Sequence, residues 1–293
     1  MSLARSATRS FTWGDGAGDG RIGKLYSGLG EYVTETRSGD DMRSGHAAAP
    51  VVPVLTAGVG ARQSGSWGLR LASFRLDQSD LGNAALGVLT APSPSSDALV
   101  GLLSGQTRPT YGYLRVLGHD MGTARGRAAV RGEVGVASRP GRSLPSVRIR
   151  RLVERAARES IQPPSDRHLL VAAILDRLSL TPWAEVPVRS APELIARKAR
   201  LAAACVHQPR LLLIDGLLDQ LPALDTIMLA DAIKSLGQDT AIIALGRDAE
   251  ALSLICDQTV ELSDGIVIGD RSPDIAQPQP ERPGPLPLAP ASA

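Results

Sequence analysis

Four aliphatic residues followed by a carboxylate, Leu211-Leu212-Leu213-Ile214-Asp215, constrain the fold of this chain more than any other feature. The run has no polar position before the aspartate, so it reads as a strand covered on both faces. A helical pattern over 192–207 precedes it and another over 225–236 follows it. A strand buried between flanking helices belongs to an α/β architecture with a mostly parallel sheet.

The same alternation extends through the middle of the chain. Residues 84–89 are a short apolar run fit for a buried strand, closed by a Ser/Pro loop. A helix follows over 97–103, with Leu99, Leu102 and Leu103 on one face. Strands are expected at 113–118, 133–137, 240–245, 259–262 and 265–268, with a helix at 249–256. Strands at 51–59 and 68–76 form an antiparallel edge, the second alternating through Leu69, Leu71 and Ser73. Helical periodicity at 146–161 (Val147, Val153, Ala157, Ile161) and 165–178 (Leu169, Leu170, Ala173, Leu175) defines a small α-helical subdomain at about 142–190. The structured core is thus 51–270. A Gly/Ser/Arg-rich segment, 1–50, and a Pro-rich tail, 271–293, flank it and are expected to be disordered.

Composition excludes several function classes. The content is 43% hydrophobic but only 3% aromatic, so the core is built from Leu, Val, Ala and Ile. A net charge of +2 gives no nucleic-acid footprint. Cys205 and Cys256 sit in apolar helical contexts and read as buried free thiols. His46, His119, His168 and His207 show no ligand spacing, so no metal is assigned. No stretch reaches membrane-spanning length, and the N-terminus lacks the apolar core of a signal peptide. The expectation is a cytoplasmic soluble chain.

Three stretches carry a likeness. Leu102-Leu103-Ser104-Gly105 is followed by Arg108-Pro109-Thr110, Gly112 and Val116-Leu117-Gly118-His119-Asp120. Residues 201–213 contain His207-Gln208-Pro209. Cys256-Asp257 is followed by Val260-Glu261-Leu262 and Asp264-Gly265-Ile266-Val267. In this order and spacing they resemble the nucleotide-binding subunit of an ATP-binding-cassette (ABC) transporter over residues 51–270. The resemblance implies a P-loop NTPase-like cassette with a mostly parallel sheet, antiparallel edge strands and a helical subdomain. It also implies MgATP as cofactor if the family activity is retained. The implied partners are a transmembrane permease subunit and a second, competent cassette, with no nucleic acid. The implied location is cytoplasmic and peripheral on the inner face of the membrane.

The same anchors locate the family's working parts, and this chain departs from nearly all of them. A P-loop reads G-x-x-x-x-G-K-[S/T], its glycines letting backbone N–H groups wrap the phosphates. The matching stretch is Thr90-Ala91-Pro92-Ser93-Pro94-Ser95-Ser96-Asp97, with Ser96 at the lysine position and Asp97 at the magnesium-binding hydroxyl. Both glycines are missing, and two prolines remove N–H donors. Lysine occurs only at 24, 198 and 234, so a shifted alignment supplies none. The Gly18–Lys24 stretch fits the pattern formally, but it has no strand before it, and Leu25 stands where the hydroxyl belongs. The Q-loop glutamine falls at Arg139, and the signature motif at 191–195, where Glu193 would repel a phosphate. The catalytic glutamate falls at Gly216, the following turn at 219–222, and the switch histidine at Arg247. Asp215 remains, explained as a strand-end aspartate capping the next loop. Trp67, near where the family stacks adenine, reads as a core or edge tryptophan. The arginine-rich stretch 148–158, interleaved with Glu154, reads as a solvated helix face. From these positions a degenerate member is expected, with no catalytic residue, no metal and no cofactor. Ser95, Ser96, Asp97, Arg139 and Asp215 mark the altered nucleotide site.

Overall fold

The computed structural model describes residues 53–63, 66–76, 84–139, 146–160, 166–237 and 240–268. The expectations for 1–50 and 271–293 lie outside them. Among the described residues, ten strands form one mixed sheet. They are β1 Val54–Gln63, β2 Ser66–Leu76, β3 Ala85–Leu89, β4 Tyr111–Val116, β5 His119–Asp120, β6 Val134–Ser138, β7 Leu211–Asp215, β8 Ala241–Gly246, β9 Gln258–Ser263 and β10 Ile266–Ile268. Their order is β5-β4-β1-β2-β10-β9-β3-β8-β7-β6. The run β9-β3-β8-β7-β6 is parallel throughout, while β5-β4-β1-β2 is antiparallel and occupies the other end.

β7 shows why the parallel half forms. Leu212 and Ile214 enter one hydrophobic core, and Leu211 and Leu213 enter a second core across the sheet. All four are at most 1% exposed. Full burial of such side chains is worth about 1.5–3 kcal/mol each, so a charge at any of them would break the strand. The first core continues into helices α3 Ile149–Ser160, α4 Arg167–Arg177, α5 Glu193–Cys205 and α6 Ala223–Leu236. The second is closed by α1 Pro94–Leu103 and by Val130 of α2 Ala124–Glu133. A short helix α7, Ala249–Ser253, leads into β9.

Several expectations need correction. α1 begins at Pro94, inside the stretch read as loop. Ser93 accepts the Ser96 N–H, Ser96 reciprocates on the Ser93 N–H, and Pro94 occupies the first turn, where its missing donor costs nothing. The strand expected over 113–118 stops at Val116. Leu117 (φ 50°) and Gly118 (φ 83°) make a two-residue hairpin into β5, a backbone that glycine favours. α2 was not anticipated, because Gly126 and Val130 are its buried positions and leave little periodicity. Its signal is Thr123, whose hydroxyl accepts the Gly126 N–H. In the helical layer the buried stripe is Ile149, Val153 and Ala157, facing Val171 and Leu175. Val147 and Leu169 are exposed. Both cysteines are buried and free, and burial pushes each thiol up to about 12, so neither is a nucleophile at neutral pH.

Candidate functional site

The parallel strands end together. β3 and β8 finish in register at Leu89 and Gly246, β8 and β7 at Leu245 and Asp215, and β7 and β6 at Asp215 and Ser138. The crevice beyond carboxyl ends of parallel strands is where α/β sheets bind ligands. Four loops meet there: residues 90–93, 139, 216–222 and 247–248.

Most of the donors of the first loop are already engaged in internal hydrogen bonds. Thr90 N–H donates to the Gly246 carbonyl at 2.8 Å. Ser93 N–H donates to Ser96 Oγ at 3.0 Å, Ser96 N–H to Ser93 Oγ at 3.3 Å, and Asp97 N–H to the Ser93 carbonyl at 3.1 Å. Pro92 and Pro94 have no N–H. Among the described residues, no partner takes up the N–H of Ala91 or Ser95, so two donors of the stretch 90–97 remain for a ligand. The Ser96 side chain is 2% exposed and its hydroxyl donates to the Ser93 carbonyl at 2.9 Å, so it faces the cap and not the crevice. Asp97 is exposed on the first turn of α1.

Asp215 ends β7 half-buried. Burial raises its pKa above the usual carboxylate range, and the Asp97 and Asp219 carboxylates raise it further. Arg139 and a hydrogen bond from Ser138 oppose them. Among the described residues, no N–H of the loop after β7 reaches the Asp215 carboxylate, so the cap expected of it is not formed there. The capping carboxylate is Asp219, 3% exposed, whose Oδ1 accepts the Arg247 N–H at 2.9 Å across to the β8 loop. Its Oδ2 is buried without a partner. Gly216 has φ 60°, and a Cβ there would sit 3.2 Å from Asp219 Oδ2 and 3.3 Å from Arg139 Cδ, so a glutamate at this position would meet both strain and crowding. Arg139 N–H donates to the Asp215 carbonyl at 2.9 Å, extending the β6–β7 pairing by one residue. Arg247 is exposed. Among the described residues, no cluster of three or more His, Cys, Asp or Glu side chains is arranged to hold a metal ion.

Arg197 and its partner Glu193 organise the 216–222 loop from α5. The Arg197 guanidinium is buried and donates to the Leu217 and Asp219 carbonyls at 2.6 Å each and to Glu193 Oε1 at 2.8 Å. Glu193, at the start of α5, is therefore paired with Arg197. The sequence carried one sign of this clasp: a Glu and an Arg four apart on a helix whose neighbouring positions are apolar. Trp67 lies at the hairpin end of β1–β2, 38% exposed, outside the core.

The sign of the Asp215 shift yields a test. A carboxyl whose folded pKa is raised penalises folding wherever it is ionised, above the folded pKa, and the penalty lifts as pH falls through that value. Asp215→Asn is expected to raise stability at neutral pH, and with it Tm, by less than about 1 kcal/mol of unfolding free energy, with the gain shrinking as pH is lowered through the carboxylate range. Thermal melts of both proteins across that range check it. A loss of Tm at neutral pH would show that the Arg139 and Ser138 contacts outweigh burial.

No family model matches the chain. Methionine import ATP-binding protein MetN 2 of Burkholderia mallei is 27% identical over 188 residues, 62% of this chain and 47% of that protein. Pyoverdine export ATP-binding/permease protein PvdT of Pseudomonas syringae pv. tomato is 26% identical over 207 residues, 69% of this chain and 31% of that one. The matches thus span less than half the length of either relative. Among solved structures, cbiO1 of Clostridium perfringens, described as part of the ABC transporter complex cbiONQ, superposes with a TM-score of 0.64 at 17% identity, covering 74% of this chain and 87% of that one. A dimeric ATP-binding cassette in a post-hydrolysis state bound to ADP and phosphate gives 0.61 at 14% identity, covering 73% and 96%. The fold is that of an ABC nucleotide-binding domain. The chain is a homologue of ABC transporter ATP-binding proteins.

Proposed function

We propose that this chain is a cassette homologue without ATP turnover, acting as a non-hydrolysing subunit beside a membrane permease, with a second, competent cassette supplying hydrolysis. The observation that carries this reading is the state of the stretch 90–97. A phosphate chain needs several N–H donors and a cation. Here two prolines carry no N–H, four of the six remaining N–H groups are engaged internally, the Ser93 and Ser96 ones in reciprocal caps, and Asp97 presents a carboxylate. Replacing a lysine and a hydroxyl by a serine and a carboxylate changes the local formal charge from +1 to −1. At a surface-like effective dielectric, one unit charge at about 4 Å is worth about 4 kcal/mol before screening, so affinity is lost rather than trimmed. Gly216 has no side chain to take a proton from water, and the Arg247 cation cannot serve as a general base. The residues present do not fit MgATP.

The relatives' names support the partnership side of the reading. One is an import ATP-binding protein, and another joins ATP-binding and permease functions in one chain. Among the described residues, no helix is long and apolar enough to cross a membrane, so the permease is a separate polypeptide or a separate segment.

Calorimetry with MgATP, together with a phosphate-release assay on the purified 293-residue chain, tests the proposal. No heat of binding and no release above buffer are expected. A micromolar Kd would overturn the binding claim. Turnover that survives Asp215→Ala but vanishes in Lys24→Ala would move the nucleotide site to the glycine-rich stretch 18–24.

A further inference from the structure

The antiparallel half of the sheet has one buried face and one exposed face, and the exposed face has an unusual composition. Strand register assigns the sides. Val54, Thr56, Leu114 and Val116 face the core. Their neighbours point the other way: Leu55 pairs with Arg115 on β4 and Arg75 on β2, Ala57 with Tyr113, and Arg62 with Trp67. Beside β2, Ile266 pairs with Leu71. Leu71 (50% exposed), Tyr111 (44%), Tyr113 (42%), Ile266 (39%) and Trp67 (38%) are half of the large apolar side chains exposed among the described residues, gathered on this one face.

These side chains are held in place. Trp67 and Tyr111 meet edge to face at 5.4 Å, and the Tyr111 hydroxyl donates to the Arg70 carbonyl. The Arg62 guanidinium lies 4.7 Å from the Trp67 ring centre, and Arg115 lies 5.7 Å from that of Tyr113. The charge is one-sided. β4, β1 and β2 carry arginines, and neither they nor β10 carry a carboxylate. Acidic residues come at the flanks: Asp120 on β5, which accepts the Gly122 N–H, Glu261 on β9, and the exposed Asp264 in the turn between β9 and β10.

We infer that this face docks reversibly on an anionic phospholipid surface. Indole and phenol rings settle at headgroup depth, with apolar bodies toward the acyl chains and polar edges toward water. The aliphatic Leu71 and Ile266 between them reach the acyl boundary, and the arginines meet lipid phosphates as a planar fork. Charge complementarity selects an anionic partner, and the aliphatic centre selects a bilayer over a nucleic acid. Base stacking needs open ring faces, whereas Arg62 already lies over Trp67 and Arg115 over Tyr113. Leu71 and Ile266 offer a base no hydrogen bond.

The test is co-sedimentation of the 293-residue chain with phosphatidylcholine vesicles, with and without about a third phosphatidylglycerol, the fraction that sets the surface potential the arginines sense. The chain is expected to pellet at least about tenfold better with the anionic vesicles, and less as salt rises. The double variant Arg62→Gln/Arg115→Gln is expected to remove most of that preference. Leu71→Ser/Ile266→Ser should weaken pelleting on both vesicle types. All these positions are exposed, and melting curves show whether the variants fold. Arg151→Gln/Arg155→Gln in the helical layer is the control and should bind as wild type. Three results overturn the inference: equal pelleting with both vesicle types, loss of binding in the control variant, or arginine-dependent binding of an oligo-dT probe without vesicle binding.

Discussion

Arg197→Ala is expected to destabilise the fold by about 3 kcal/mol, from two charge-assisted hydrogen bonds to buried carbonyls at roughly 1.5 kcal/mol each. For a domain of this size that lowers Tm by about 6–12 °C. The guanidinium is the link between α5 and the loop after β7: it takes the Leu217 and Asp219 carbonyls together, and Glu193 balances its charge. Without it, two buried acceptors lose their donor and the loop loses its tie to the helix. Arg197→Lys keeps the charge but not the fork, and an ammonium cannot span both carbonyls and Glu193 in the same geometry, so less than half of the loss should return. Urea titrations of the three proteins decide. A loss below about 1 kcal/mol in the alanine variant, the range of a surface contact, would show that the loop is held by its own packing.

The elements that were legible in the sequence are those whose residues all say the same thing. β7 was read to the residue because both of its faces meet a core and no position had to be polar. β9 and β10 are legible as two closing strands, but Gly265, expected as the first residue of the second, belongs with Asp264 to the turn between them, both at positive φ. The start of α1 was hidden because Pro94, Ser95 and Ser96 are loop-forming residues by composition. Only their order, a capping serine followed by proline at the first helical position, makes them a helix start. α2 was hidden for the opposite reason: a helix that buries little has little periodicity.

The candidate site divides along the same line. Anchors spaced along the chain are enough to single out Ser96, Asp97, Arg139, Asp215, Gly216 and Arg247, and in the structure these residues lie at or just beyond the carboxyl ends of the parallel strands. The contacts did not follow. Asp219 as the capping carboxylate and Arg197 as the clasp depend on partners 28 and 20–22 residues away. No local pattern encodes which buried carbonyls a charged side chain will find. Arg197 in particular belongs to a residue type that is almost never fully buried unless paired, so a sequence reading sends it to the surface by default.

Gly135→Ala is expected to be as damaging as the arginine substitution, by a steric route. Gly135 is the second residue of β6, where α5 crosses so closely that a Cβ would collide with the Ala204 carbonyl oxygen and sit 3.0 Å from Pro209 Cγ. A flexible side chain could yield, but a backbone carbonyl in the last turn of a helix cannot. β6 and α5 must therefore separate by about the width of a methyl group. Overpacking of this kind costs about 1–3 kcal/mol or more, and here the separation also strains the β6–β7 pairing that carries Ser138 and Arg139 to Asp215. Substituting Gly132, whose added Cβ meets nothing within 4 Å, is the matched control. On an exposed helical position Gly132→Ala should stabilise slightly, by about 0.5–1 kcal/mol of helix propensity. Denaturant midpoints for the two variants are expected to move in opposite directions from wild type. Equal behaviour of the two would mean that β6 and α5 have room between them, and that the position of Arg139 beside Asp215 does not depend on that close approach.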